Sequence, residues 1–203
     1  MRKLFGHPDS GHAYKVRLFL SVAGIEHDYE VVDIWKPRDQ RSAEFQSVAP
    51  LGEVPVLIED GQAYAQSNAI LLHLARSTGL WGGESSQRMN ACEQWLVWEA
   101  NKIGMCLPQI RSYEKFEKEA LLENALPWLK ARYESDVATI ESALSHGRTW
   151  LLAGAEPSIA DFSVCGYLFF ADEAGVDMPV NVKAWLNRLS NLDGWQHPYQ
   201  LLA

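Results

Sequence analysis

Three short stretches near the start of this 203-residue chain combine polar side chains with helix and strand ends. Together they suit the binding of an anionic, extended small ligand. The first is Pro8-Asp9-Ser10-Gly11-His12-Ala13-Tyr14-Lys15-Val16-Arg17. A serine immediately before a helix lies beside main-chain N–H groups that lack helical partners, at the positive end of the helix dipole, where an anion is favoured. Ser10 can equally serve as a plain helix cap. The second is Pro50-Leu51-Gly52-Glu53-Val54-Pro55-Val56, where a proline opens an apolar strand. Val54 is then held extended with its own N–H and C=O free, and Val54-Pro55 is the kind of bond that adopts cis. Such an edge can pair with the main chain of a peptide ligand, or it can merely protect the sheet. The third, Gln66-Ser67-Asn68-Ala69-Ile70, opens a helix straight after a strand. It offers N–H groups and a hydroxyl to a carboxylate, with simple capping by Ser67 as the alternative.

The elements that must bring these stretches together alternate between strand and helix. Lys3–Gly6 and Tyr29–Ile34 read as strands, and Ala13–Ala23 between them carries Val16, Phe19, Leu20 and Ala23 on one helical face with Lys15 and Arg17 off it. A short helix is expected near Ala43–Ser47. Val54–Glu59 and Gln62–Ala65 are strands joined at Asp60-Gly61, a strong hairpin signal, and Ser67–Arg76 returns to helical spacing. The order β-α-β-α-β-β-α predicts a small mixed sheet covered by helices.

Beyond Gly79 the composition turns to Gly and Ser and strand signals stop, which places a boundary between units 1–78 and 86–203. Gln87–Tyr113 reads as one long helix that Pro108 should kink or end. Leu129, Tyr133, Val137, Ile140 and Leu144 form an amphipathic helix with Pro127 suited to its first turn. Ser158-Ile159-Ala160-Asp161 has the pattern of a capping box ahead of a further helix, and Val182–Leu192 gives a last short one. Six of the eight tryptophans fall between Trp81 and Trp185, so the second half should be rich in aromatic packing.

Composition narrows the partners. The chain is 47% apolar and 22% charged, enough for a packed core. Its 18 basic and 26 acidic residues give a formal charge of −8, which disfavours nucleic acid. Cys92, Cys106 and Cys165 form no CxxC pair and no metal-ligand spacing with the six histidines, so neither a disulfide scaffold nor a metal site is expected. The longest apolar run, Val164–Ala171, is too short to span a membrane, and the first residues lack the apolar segment of a secretion signal. No membrane association and a cytoplasmic location are the expectation.

With these motifs in place the sequence resembles the cytosolic glutathione transferases over its whole length. The likeness rests on Ser10 in Ser10-Gly11-His12-Ala13-Tyr14-Lys15-Val16-Arg17, on Val54-Pro55 in Ala49-Pro50-Leu51-Gly52-Glu53-Val54-Pro55-Val56-Leu57, and on Gln66-Ser67-Asn68-Ala69-Ile70. Trp150-Leu151-Leu152-Ala153-Gly154 leading into Ser158-Ile159-Ala160-Asp161 adds the family's folding element. The resemblance, to the serine-type branch, implies a thioredoxin-like N-terminal domain, an all-α C-terminal domain and a homodimer. Its co-substrate would be glutathione, with no metal, and its partner a small hydrophobic electrophile. Ser10 would be the catalytic residue, donating a hydrogen bond to the sulfur. Val54 and Pro55 would meet the cysteinyl unit, and Gln66 and Ser67 the γ-glutamyl end. Gln40 and Glu53 occupy the family's positions near the glycyl end, where Lys36, Arg38 and Arg41 are nearby cations.

For the second substrate the expected residues are His12, Asn101, Met105 and Tyr113, with Trp98, Lys102, Cys106 and Tyr167 as further candidates. The same residue types also suit helix cores, and His12 also reads as a residue outside the chemistry. Conjugation by a glutathione S-transferase is the leading activity. Isomerisation, dehalogenation or peroxide reduction by the same thiolate, or a non-catalytic glutathione-binding module, are the alternatives.

Overall fold

The computed structural model describes residues 1–116 and 118–203. Four strands, β1 (Arg2–Gly6), β2 (Asp28–Val31), β3 (Val56–Glu59) and β4 (Gln62–Ala65), lie in the order β2-β1-β3-β4. β1 runs parallel to β2 and antiparallel to β3, and β3 pairs antiparallel with β4 through the Asp60-Gly61 turn. Side chains alternate across this sheet, as the period of a strand requires. Leu4 and Leu57 enter the main core, whereas Phe5 and Val56 join Val32, Phe45 and Ala49 in a smaller core on the other face. The small core is closed by α2 (Ala43–Val48), and the main core by α1 (Gly11–Val22) and α3 (Ser67–Thr78).

The rest is helical: α4 (Ser86–Asn101), α5 (Ile103–Arg111), a π-helical turn (Ser112–Phe116), α6 (Ala120–Leu144), α7 (Ile159–Leu168), α8 (Val180–Leu189) and α9 (Pro198–Leu201). This is a thioredoxin-like sheet unit followed by an all-α unit, as the sequence predicts. The main core runs without a break from Leu4 to Leu202, so both units share one apolar interior.

Several local expectations are corrected. Lys15 is fully buried, because α1 is packed against α7 as well as α3 and has no solvent face at that position. The long helix breaks at Lys102 (φ −125°, ψ −108°), while α5 continues through Pro108 to Arg111. Just past the break, Gly104 approaches the Glu99 carboxylate so closely that a Cβ there would lie 2.3 Å from Glu99 Oε1, so this position requires glycine. In α6 the face Leu129-Tyr133-Val137-Ile140-Leu144 is buried as expected, but the helix begins at Ala120 and Pro127 lies inside it. α9 and the 3₁₀ turns carry no periodic signal and were not foreseen. Trp150 and Trp185 are core residues, whereas Trp128 is mostly exposed.

The capping box at the start of α7 is formed: Asp161 accepts from Ser158 N–H at 2.8 Å, and also from Leu151 N–H and Trp185 Nε1 at 2.9 Å each. This buried carboxylate ties three segments together. At the C-terminal end the chain returns to α1, where Ser21 Oγ donates to Gly194 O at 2.6 Å and Tyr14 Oη to Gln196 O at 3.0 Å.

Candidate active site

The three polar stretches converge on one cleft of about 580 Å³ between the sheet unit and the helices. Asp9, Ser10 and His12 form one end, Leu51 to Val56 and Ala65 to Asn68 the floor, and Glu99, Ala100, Gly104 and Tyr167 the helical wall. A second hollow of about 760 Å³ lies at the other end of β1, rimmed by Arg2, Glu26, His27, Asp28, Glu59 and Asp60. Arg2 and the N-terminal ammonium pair with Glu59 and Asp60 there, and none of the three stretches reaches it.

Ser10 is 6% exposed and has the extended backbone of a helix cap. Its Oγ accepts from Ala13 N–H at 3.1 Å. A hydroxyl that accepts through one lone pair keeps its hydrogen for another acceptor. Capping and sulfur binding, alternatives on sequence alone, are therefore compatible, and the cap orients the hydroxyl.

The Val54-Pro55 bond is cis. Among the described residues the N–H and C=O of Val54 make no hydrogen bond, so this strand entrance is free to pair with a ligand main chain. Gln66 caps α3 with φ 68° and ψ 112°, a conformation that costs a non-glycine residue roughly 1–3 kcal/mol and persists where surrounding structure enforces it. Its side-chain amide donates to Glu53 Oε2 at 3.1 Å. Ser67 follows as the buried first residue of α3, whose free N–H groups face the same cleft.

Near Gly52 the cleft is bounded by Arg38 and Arg41. Arg41 is fully committed, donating to the carbonyls of Gly52 (2.6 Å), Ile34 (2.9 Å) and Lys36 (3.2 Å). Arg38 lies over Gly52, where a Cβ would sit 2.7 Å from its Cδ, and no carboxylate meets its guanidinium among the described residues. Gln40 is exposed in the 3₁₀ turn Arg38–Gln40 and does not line the cleft.

Of the residues expected at a second-substrate site, His12 borders the cleft, as does Tyr167 among the further candidates, whereas Asn101, Met105, Tyr113, Trp98, Lys102 and Cys106 do not. The His12 ring packs edge-on against Tyr167, 5.0 Å between centroids. Burial, aided by the nearby Lys15 ammonium and opposed by Glu99, lowers its pKa to about 4. At neutral pH it is an uncharged imidazole and a poor proton acceptor. Asn101 is exposed at the end of α4, with its carbonyl accepting from Arg132 Nη2 at 3.2 Å. Met105 packs against the main core, and Tyr113 is buried in the π-helical turn. None of these three lines the cleft, whose helical wall on this side is made by Glu99, Ala100 and Gly104.

Two polar clusters were not foreseen. Behind the cleft, Glu99 Oε2 receives Lys15 Nζ at 2.9 Å and Asn68 Nδ2 at 2.8 Å, while Ser163 Oγ donates to Asn68 Oδ1 at 2.7 Å. A signal for it existed: Met89, Cys92, Leu96 and Glu99 step by three, four and three, which puts a carboxylate on an otherwise apolar face. Beside Asp9, the buried Arg111 donates to Glu173 and Tyr199, and Lys115 donates to the same Glu173 carboxylate. The partners are too far apart in sequence for any spacing to reveal it.

Comparison with known proteins accords with this geometry. Family models described as the glutathione S-transferase N-terminal and C-terminal domains match residues 9–77 and 107–195. The chain belongs to the glutathione S-transferase family. It is similar to the disulfide-bond oxidoreductase YfcG of Escherichia coli, 26% identical over 197 residues that cover 91% of this chain and 87% of the relative. It is also 28% identical to the maleylacetoacetate isomerase of Rattus norvegicus over 178 residues, 86% of this chain and 80% of that protein. Among solved structures, a glutathione S-transferase from Xanthobacter autotrophicus superposes with a TM-score of 0.84 at 29% identity, covering 97% of this chain and 96% of the other.

Proposed function

We propose that this chain is a serine-type glutathione transferase that stabilises the glutathione thiolate and directs it at the electrophilic carbon of a small apolar compound. The observation that carries this reading is the state of Ser10: buried in the cleft, oriented by Ala13 N–H, with its hydroxyl hydrogen available to a sulfur. Glutathione spans the floor of the cleft. Its cysteinyl main chain pairs with Val54 beside the cis Pro55, and its γ-glutamyl carboxylate meets Ser67 and the N-terminus of α3, with Gln66 held in place by Glu53. Arg38 takes the glycyl carboxylate in place of Gln40, since Arg41 is already occupied.

The energetics suffice without a metal or a general base. A thiol titrates at about 8.5, so ionisation at neutral pH needs a drop of roughly two units, or about 3 kcal/mol. A hydrogen bond to a charged acceptor contributes about 1.5–3 kcal/mol and a helix N-terminus roughly 0.3–1 more. The thiolate forms a C–S bond to the electrophile, and the leaving group departs with the electron pair. The electrophile would lie along the wall of Ala100, Gly104 and Tyr167. In this reading residues 1–78 hold glutathione, residues 86–203 supply that wall, and the protein acts as a cytoplasmic homodimer.

A second reading keeps the same thiolate and applies it to a small disulfide. The likeness to a disulfide-bond oxidoreductase over 91% of the chain favours it. With no cysteine before Cys92, the exchanging sulfur would be glutathione's own. Retention on immobilised glutathione, followed by parallel assays with an aromatic halide and a small disulfide, tests both readings. Failure to bind glutathione overturns both, and turnover of one substrate alone selects between them.

A further inference from the structure

We propose that Arg111, from the helical unit, is a positioning residue for Ser10: it fixes the main chain of Asp9, one residue earlier, and neutralises the Asp9 carboxylate where it faces the cleft. The proposal rests on the reading of Ser10 as the sulfur's hydrogen-bond donor.

Arg111 ends α5 and is only 2% exposed. Its Nη1 donates to Asp9 O at 2.7 Å and its Nη2 to Asp9 Oδ1 at 3.0 Å, so one planar fork grips both the backbone and the side chain of the residue preceding Ser10. The guanidinium is held in turn. Its Nε donates to Glu173 Oε2 at 2.6 Å, its Nη2 also reaches Tyr199 Oη at 2.8 Å, and its face lies 4.1 Å from the Phe170 ring. Within the turn, Asp9 N–H donates to His7 Nδ1 at 3.1 Å and Ser10 N–H to His7 O at 2.9 Å. Asp9 O is therefore a hydrogen-bonded point at which the helical unit sets where the turn sits, beside the packing of Tyr167 and Gly166 on Gly11.

Charge gives the arrangement a second consequence. Asp9 lines the cleft beside Ser10, and an uncompensated carboxylate there would oppose a thiolate. Arg111 and Lys115, the latter 3.3 Å from Asp9 Oδ1 and 2.9 Å from Glu173 Oε1, balance the two carboxylates. Burial opposes the charge on Asp9, but Tyr199, Lys115 and Arg111 together outweigh it and hold the carboxyl below its ordinary range, so it stays ionised at neutral pH and needs that balance. The other titratable groups at this end do not substitute for it. Burial keeps the His7 imidazole below its ordinary value, His12 at about 4 and the Tyr167 phenol at about 12.

The test compares opposite charge changes. Thiolate absorbance of the glutathione complex is titrated from about pH 6 to 9 for Arg111→Met, Arg111→Lys, Asp9→Asn, Tyr199→Phe and Ser10→Ala, with kcat and KM for conjugation of an aromatic halide. Arg111→Met should raise the thiol pKa by about one unit, a tenfold loss of thiolate below the pKa, with KM for glutathione changing less than about threefold. Asp9→Asn should move the pKa the other way, Arg111→Lys should fall between wild type and Arg111→Met, and Tyr199→Phe should follow Arg111→Met more weakly. Shifts of the same sign for Arg111→Met and Asp9→Asn, or none, overturn the proposal. If Arg111→Met does not fold, the signs for Asp9→Asn and Tyr199→Phe decide. An unshifted thiol in Ser10→Ala overturns the Ser10 reading itself, whatever the other variants do.

Discussion

Lys15 of α1 and Glu99 of α4 meet at 2.9 Å in the seam between the sheet unit and the helices, both almost wholly out of solvent. Burial alone would push the Lys15 ammonium toward neutrality, and Glu99 opposes that. Removing one partner leaves an uncompensated buried charge, which typically costs about 3–5 kcal/mol, while an apolar pair of similar volume is far less damaging. Lys15→Met should therefore lower the free energy of unfolding by that order, with a corresponding fall in the urea midpoint. Lys15→Met with Glu99→Leu should recover part of the loss, short of all of it because Asn68 loses its acceptor. Urea titrations of the two variants check the sign of the difference.

Ser10→Ala removes a helix cap as well as the proposed thiolate donor. The cap is worth about 1 kcal/mol. Turnover should fall by one to two orders of magnitude, on the order of the 1.5–3 kcal/mol of a charged hydrogen bond, with glutathione affinity largely kept. Isothermal titration beside steady-state kinetics separates the two effects, and an unchanged conjugation rate would rule out the role.

The two arginines near Gly52 should behave differently. Arg38→Ala should raise KM for glutathione roughly tenfold, as expected for loss of one charge-assisted hydrogen bond, with kcat and thermal midpoint little changed. Arg41→Ala strips the donors from three carbonyls and should instead lower the thermal midpoint. Equal KM effects from the two would remove Arg38 from the glycyl site.

His12 gives a pH signature. Its folded pKa of about 4 lies below the unfolded value of 6.5, so between those values the unfolded chain binds more protons. The contribution of this neutral imidazole is complete above about 6.5 and is lost as pH falls toward 4. His12→Gln should flatten the decline across that window relative to wild type, read from denaturant midpoints at several pH values. Parallel curves would mean that His12 titrates normally.

Much of the fold was legible because its signals are local. The alternation of Leu4 and Phe5, the Asp60-Gly61 turn and the four-three-four stepping of α6 each need only a few neighbouring residues. The motifs at Ser10, Val54-Pro55 and Gln66-Ser67 were legible for the same reason, and they line one cleft. What failed depended on partners far along the chain. Lys15 lies off the apolar face of its helix, and its burial depends on Glu99, 84 residues away. Met105 and Tyr113 lie beyond the break at Lys102, which no periodicity in Gln87–Tyr113 marks, and Asn101 faces solvent at the end of α4.

The return of residues 194–196 to α1 sets an order on biosynthesis. Ser21 must wait 173 residues for Gly194, and Tyr14 must wait 182 for Gln196. At about 5–20 residues per second this is roughly 10–40 s of translation. During that interval the emerging sheet unit has α1 without these downstream partners, and α7, which packs on the same helix, is also still to be made. The nascent N-terminal half is therefore the stage most in need of chaperone protection, and synonymous codon changes that slow translation between α1 and α7 should reduce the soluble yield without altering the finished protein.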